Sequence, residues 1–154
     1  FERHRRFAYR LAWGMLNEVD AADDVVQETF AGIGSGQIRG KPEARFTTWL
    51  YSVVLNLSRA QQRKRQRAQG NIALEALTDA SDTSTDPRRI DSIEDLGAAL
   101  AVLPARQREV VLLRFLEGFS TRETAEIIGC REGTVKAHLH KATQTLRRVL
   151  GSLN

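Results

Sequence analysis

The chain has 154 residues, of which 42% are apolar and only 6% aromatic, so it suits one helical domain or two small ones with cores of Leu, Val and Ala. A formal charge of +4 and a pI near 9.7 fit an anionic partner, but 19 acidic residues remain, so charge must be segregated along the chain to matter. A single cysteine excludes an internal disulfide, and without a bilayer-length apolar run or a visible signal peptide the expectation is a soluble, cytoplasmic protein with no membrane insertion.

The chain begins at Phe1 rather than methionine, so some preceding sequence is expected to be missing. Residues 1 to about 18 place Phe7, Leu11 and Met15 at four-residue steps, with Ala8, Ala12 and Leu16 alongside. That predicts a core-facing helix carrying Arg3, Arg5 and Arg6 outside. Asp20 is placed to cap the next helix, AADDVVQETF, whose first turn carries Asp23 and Asp24, where negative charge suits the helix dipole. Five carboxylates and no basic residue lie from Glu18 to Glu28. They read either as a solvated face or as a docking face for a basic partner.

Four glycines and a proline between Gly32 and Pro42 predict a loop. It is not a phosphate-binding loop: Ser35 stands where the first glycine belongs, and Pro42 replaces the required Ser or Thr. From Arg45, RFTTWLYSVVLNLSRAQQRKRQR reads as one long helix with Phe46, Trp49, Leu50, Val53 and Leu57 buried. It ends in Arg59, Arg63, Lys64, Arg65 and Arg67, uninterrupted by acid. A charge run is usually a solvated helix end. Placed after aromatic residues, it also resembles the way single-stranded nucleic acid is held.

Residues 68–91 lose apolar periodicity and contain TDASDTSTDP, which reads as a flexible, locally acidic linker between two helical domains. Leu96, Leu100 and Leu103 resume a helical stripe. Pro104 sits at a tolerated helix start, and Gln107 to Glu117 reads as an apolar helix stopped by Gly118. Ser120 and Glu123 then form a capping box, Ala125 and Ile128 share a face, and Gly129 turns the chain. A further helix begins near Glu132, with Val135, Leu139, Ala142 and Leu146 buried. Thr134, His138 and Lys141 share another face, with Lys136 expected beside them. The pattern reads either as an ordinary helical hairpin of a bundle or, since cap, glycine, apolar spacing and basic outer face agree, as a helix-turn-helix whose second helix is expected to enter the major groove. His138 and His140 point about 200° apart, so they cannot chelate one metal together, and Cys130 reads as a small apolar filler in the turn.

The stretches DDVVQETF, RFTTWLYSVVLNLSRA, LPARQREVVLLRFLEGFS and EIIGCREGTVKAHLHKA together resemble, in order and over nearly the whole chain, the extracytoplasmic-function sigma factors of the sigma-70 family. The resemblance implies an all-α chain, with a region 2-like domain over 1–67, a linker over 68–91 and a region 4-like helix-turn-helix domain over 92–154. It implies core RNA polymerase, promoter DNA and an anti-sigma factor as partners, with neither a cofactor nor a small-molecule substrate. It puts Asp23, Asp24, Gln27, Glu28 and Phe30 at the polymerase-docking surface. Asn56 is implied to hold a flipped base of the minus-ten element, and Arg59, Arg63, Lys64 and Arg65 to bind the melted strand. Arg131, Thr134, Lys136, His138 and Lys141 are implied to face the minus-thirty-five element, Lys141 reaching bases and Lys136 and Arg131 mainly phosphates. Arg131 departs from the family pattern, standing where many relatives carry a capping serine, a difference of about 0.5–2 kcal/mol at the helix start.

Two other readings compete. A sigma-like decoy that binds a regulator would have no need of the basic run after Asn56 or of a complete recognition helix. A stand-alone helix-turn-helix regulator would leave the acidic helix without a role. No nucleophile, base and orienting group occur together, so an enzyme is not expected.

Overall fold

The computed structural model describes residues 2–40, 45–69 and 93–149, and among these every regular element is helical. Three helices come first: α1 (Glu2–Leu16), α2 (Val19–Ser35) and α3 (Phe46–Gln69). The second half holds α4 (Ile93–Val102), α5 (Ala105–Val111) running into a π-turn (Leu112–Leu116), α6 (Thr121–Ile128) and α7 (Glu132–Val149). The expected linker falls almost wholly on residues 70–92, outside the described residues; α3 itself continues as helix to Gln69.

Each half is a small helical layer, and the two layers share one core. Leu11, Met15, Val25, Leu50, Val54 and Leu55 pack in the same cluster as Leu100, Leu103, Leu112, Leu113, Ile127 and Ala142. Each such leucine contributes about 1.5–3 kcal/mol by leaving water. A smaller cluster of Val110, Ala125 and Val135 holds the helix-turn-helix together. Small residues set the approach between halves: a Cβ on Gly14 of α1 would lie 2.5 Å from a Leu112 methyl, and one on Gly97 of α4 would run into Asn17 and Trp13.

The turn after α1 leaves carbonyls that need donors. Asn17 takes a left-handed conformation (φ 52°), which its short polar side chain tolerates, and its amide bonds Trp13 O at 2.6 Å. Gln62 of α3 donates to Met15 O at 2.9 Å, and Arg65 to Leu16 O at 2.9 Å. Arg108 of α5 reaches across to Met15 O at 2.8 Å while also donating to Leu100 O (2.8 Å), Leu103 O (2.9 Å) and Ala101 O (3.3 Å). One guanidinium therefore closes the ends of both α1 and α4. Burial pulls its pKa below the ordinary arginine value, with the neighbouring Glu109 opposing.

The structure departs from the sequence-based expectations at four places. Helix α2 starts at Val19 with Glu18 at its N-cap, so Asp20 lies in the first turn and caps nothing. It also continues through Gly32 to Ser35 and turns only at Gly36 (φ 80°), because Ile38 folds back over Gly32 and fills the space a side chain would take. Lys41 and Pro42 of the same stretch lie outside the described residues. On α3 Leu50 is buried as expected and Trp49 and Leu57 pack half-buried on the core, but Thr48, Tyr51, Val54, Leu55 and Ser58 are buried as well, while Phe46 is 50% exposed. This helix packs against α1, α2 and α6, so its buried arc is wider than one stripe and rotated from the expected one. Finally, α5 does not run on as α-helix to Glu117: Glu117 N bonds Leu112 O at 3.0 Å, five residues back, and the chain leaves at Gly118 (φ 74°).

Candidate polymerase-docking and nucleic-acid surfaces

Helix α2 divides cleanly. Ala21, Ala22, Val25, Val26 and Thr29 face the core, which turns Asp23, Asp24, Gln27 and Glu28 together to the exterior. Phe30 does not join that outer ridge. It is half-buried against the core, with the Arg5 guanidinium 5.6 Å from its ring centroid. The ridge is not bordered by acid alone. An open depression of about 450 Å³ between α1 and α2 is lined by Glu2, Arg5, Arg6, Tyr9, Asp23, Val26 and Gln27. Burial, then the charges of Asp23 and Asp20, push the Tyr9 phenol above its ordinary pKa, so it stays a neutral donor beside the ridge. Sequence reasoning placed Arg5 and Arg6 outside on α1 but missed their position beside Asp23 and Gln27. A four-residue step shows which side of one helix faces out, not which neighbour that side borders.

The basic end of α3 splits into three environments. Asn56, Arg63 and Lys64 are exposed. Arg65 is occupied within its own half, bonding Leu16 O and lying 3.1 Å from Glu18. Arg59 is held by the other half: its Nε donates to Glu109 Oε1 at 2.7 Å and its Nη2 to Glu109 Oε2 at 3.0 Å. Glu109, 1% exposed, also accepts from Arg106 at 3.1 Å, and Arg59 approaches Asn56 Oδ1 at 3.5 Å. The five residues expected to hold one DNA strand share this helix, yet only Asn56, Arg63 and Lys64 face solvent without a described protein partner to their charged or amide groups other than the long Asn56 contact.

The helix-turn-helix takes the expected local form. Ser120 Oγ accepts from Glu123 N and the Glu123 carboxylate accepts from Ser120 N, each at 3.0 Å. Those bonds, the backbone one first, hold the Glu123 carboxyl below its ordinary pKa. Gly129 supplies the left-handed turn at φ 83°. Arg131 O accepts from Thr134 N and Val135 N, so this residue caps the start of α7 with its carbonyl and leaves its side chain exposed. Val135 and Ala142 are buried, which turns Thr134 and Lys141 to solvent with His138 partly exposed beside them. Lys136 is exposed but does not stand beside those three. Two residues along a helix is a rotation of about 200°, so Lys136 lies across the helix with His140 and Arg147, on the other flank of the buried stripe. Cys130 is half-buried against Val110, Ala125 and Val135, where burial raises its thiol pKa. Among the described residues no group of three or more metal-ligating side chains occurs, and no helix is long and apolar enough to cross a membrane.

Two family models match the chain: Sigma-70 region 2 over residues 1–68, and Sigma-70, region 4 over residues 93–146. The chain is 30% identical over 154 residues to the ECF RNA polymerase sigma factor SigM of Mycobacterium tuberculosis, covering 100% of this chain and 76% of that protein. It is 33% identical over 150 residues to the ECF RNA polymerase sigma factor EcfG of Rhodopseudomonas palustris, covering 95% of this chain and 78% of that one. Among solved structures it resembles the sigma factor RpoE of Bartonella quintana, in complex there with the anti-sigma factor NepR, at 26% identity and a TM-score of 0.73 over 96% of this chain and 92% of the other. Matches to both regions in order, and identity to SigM along the full length of the chain, place this protein in the extracytoplasmic-function sigma factors of the sigma-70 family.

Proposed function

We propose that the chain is an alternative sigma factor: it binds core RNA polymerase and directs it to promoters, where it starts transcription. The observation that carries this reading is the co-occurrence, in the family's order, of region 2 over residues 1–68 and region 4 over residues 93–146. Residues 1–67 act as the polymerase-docking and minus-ten domain, 68–91 as the connection, and 92–154 as the minus-thirty-five domain. Asp23, Asp24, Gln27 and Glu28 form the exposed docking ridge, with Phe30 bracing it from beneath. An acidic and amide-bearing ridge suits a basic partner helix. Asn56 offers a donor and an acceptor to a flipped base, and Arg63 and Lys64 supply charge for the strand backbone. Thr134, His138 and Lys141 read base edges, while Arg131 and Lys136 hold phosphates.

Work in the cytoplasm follows from partners of this kind, and an anti-sigma factor restrains the chain; the complex of the related RpoE with NepR supports that last point. The test is transcription in vitro with purified core polymerase and a library of promoter fragments. Specific initiation that depends on the added chain is expected. A decoy or a stand-alone regulator would give no initiation and no binding to core polymerase.

A further inference from the structure

Helices α1 and α2 bring opposite charges to one open depression of about 450 Å³. Glu2, Arg6 and Tyr9 recur at four- and three-residue steps along α1, and Arg5 stands one turn before Tyr9, so these side chains share the flank that borders α2. Asp23 and Gln27 line the facing wall, and the buried Val26 gives an apolar floor. Asp23 and Gln27 also belong to the outer ridge of α2, so ridge and depression form one continuous surface.

The charges do not cancel inside it. Among the described residues no ion pair takes up Glu2, Arg5, Arg6 or Asp23, whereas Arg10, one turn further along α1, is taken by Glu117. Arg5 is steadied instead by the Phe30 ring of α2, whose centroid lies 5.6 Å from the guanidinium. Tyr9, kept neutral by burial and by the charges of Asp23 and Asp20, stays a donor. The α1 wall therefore presents uncommitted donors, and the α2 wall a carboxylate and an amide.

We propose that this depression takes an acidic side chain of the polymerase, held by Arg5 and Arg6 with Tyr9 beside them, while the neighbouring ridge takes basic ones. Docking then reads a pair of opposite charges rather than a basic helix alone, and the pair fixes which way round the partner lies. The inference rests on the docking role proposed above for the α2 ridge. Guanidinium forks match the two oxygens of a carboxylate. The openness of the depression and its continuity with the ridge suit a side chain carried on a helix laid across both, since a small molecule is usually buried over most of its surface.

The competing account is that Arg5 and Arg6 only dilute the negative field of the ridge. The two accounts differ in sign. If the arginines dilute, removing one makes the surface more acidic, and a basic partner binds more tightly. If they hold a carboxylate, removing one leaves that group facing Asp23 and Glu2 with less to pair it, and binding weakens.

The experiment measures binding of the full chain to immobilised core polymerase by interferometry, at about 0.1 M and about 0.5 M salt. Arg6 and Glu2 are both exposed, so replacing either leaves the core intact. At the lower salt Arg6→Gln is expected to weaken binding about tenfold, and Glu2→Gln, which removes a like charge facing the incoming carboxylate, to strengthen it about threefold. Both differences should shrink at the higher salt, where screening shortens the reach of exposed charges. Equal or tighter binding by Arg6→Gln overturns the inference, and so does equal or weaker binding by Glu2→Gln. A loss in Arg6→Gln that salt leaves unchanged marks lost packing and overturns it too. If the wild-type chain itself fails to bind polymerase, the sigma-factor reading falls and this inference with it. A wild type that binds and initiates at promoters, with either variant moving the wrong way, removes the acidic contact alone.

Discussion

The Tyr51 hydroxyl donates to Glu117 Oε2 at 2.8 Å, a side-chain bond between residues 66 apart that joins α3 to the segment after the π-turn. Burial first, then the bond to Glu117 and its charge, push the Tyr51 phenol well above its ordinary value of 10.0. The fold thus favours the neutral form, and the sign follows. The stabilisation is intact below pH 10, the unfolded value, and is lost as pH rises, because the unfolded chain releases its phenolic proton first. Tyr51→Phe removes a donor to a charged acceptor and should cost about 1.5–3 kcal/mol. Urea melts from about pH 8 to about pH 11 should show the wild type losing this advantage as pH climbs and the two proteins converging. A constant gap across the range would mean that Tyr51 contributes packing alone.

Gly14→Ala sets two effects of opposite sign against each other. Alanine favours a helix interior by about 1 kcal/mol over glycine. Against that, the new methyl would meet a Leu112 methyl at 2.5 Å, and Leu112 is buried, so any shift it makes is taken up inside the core. Overpacking costs about 1–3 kcal/mol, so a net loss of about 1 kcal/mol is expected. Gly34, also in a helix, has open space around its position, and Gly34→Ala should stabilise by about 0.5–1 kcal/mol. Urea melts on the pair separate the contact from the propensity.

The local pieces were legible in the sequence because neighbouring residues write them. Ser120 and Glu123 form the cap their spacing predicts, Gly129 takes the left-handed turn, and Val135 is buried as expected. The sequence showed two helical units, and it named Arg59 as a cation at a basic helix end. What it could not carry was the partner of that cation, because Glu109 is 50 residues away and its neighbours look like an ordinary apolar helix start. The same limit misplaced the buried arc of α3. A stripe such as Phe46, Trp49 and Leu50 is read against one packing partner, and α3 meets helices on several sides. The π-turn had no signal at all, since its residues, LLRFL, would equally well continue an α-helix. On the candidate surfaces, the order of motifs carried the assignment of roles, and only the folded arrangement separates the exposed Arg63 and Lys64 from the occupied Arg59 and Arg65.

Asp24 and Asn56 are both exposed, on separate helices with separate proposed tasks, so their effects should dissociate. Asp24→Arg puts a cation on the docking ridge, where a basic partner would be repelled, and should weaken core-polymerase binding by about tenfold or more. Asn56→Ala removes the amide edge and should leave that binding unchanged while reducing open-complex formation by about tenfold, since base flipping costs a few kcal/mol that pocket contacts must offset. Polymerase binding by fluorescence and promoter opening by permanganate reactivity read the two steps independently. Equal loss of both in each variant would refute the division of labour.

Lys136 and Lys141 lie on different flanks of α7, which separates the proposed phosphate contact from the proposed base contact. Lys141 shares its flank with Thr134 and His138, the residues proposed to read base edges, whereas Lys136 sits across the helix with His140 and Arg147. A phosphate contact contributes to every sequence alike and releases one counterion. Lys136→Ala should therefore weaken binding uniformly across promoters and lower the slope of log affinity against log salt by about one. Lys141→Ala should instead compress the preference for the cognate minus-thirty-five element by about 1–3 kcal/mol at the base it meets, with affinity for unrelated DNA changing far less. Salt titrations of polymerase holoenzyme, assembled with each variant, on matched and mismatched promoters measure both quantities. If Lys136→Ala alters discrimination while Lys141→Ala alters only the salt slope, the recognition helix docks rotated from this orientation and the two residues exchange roles.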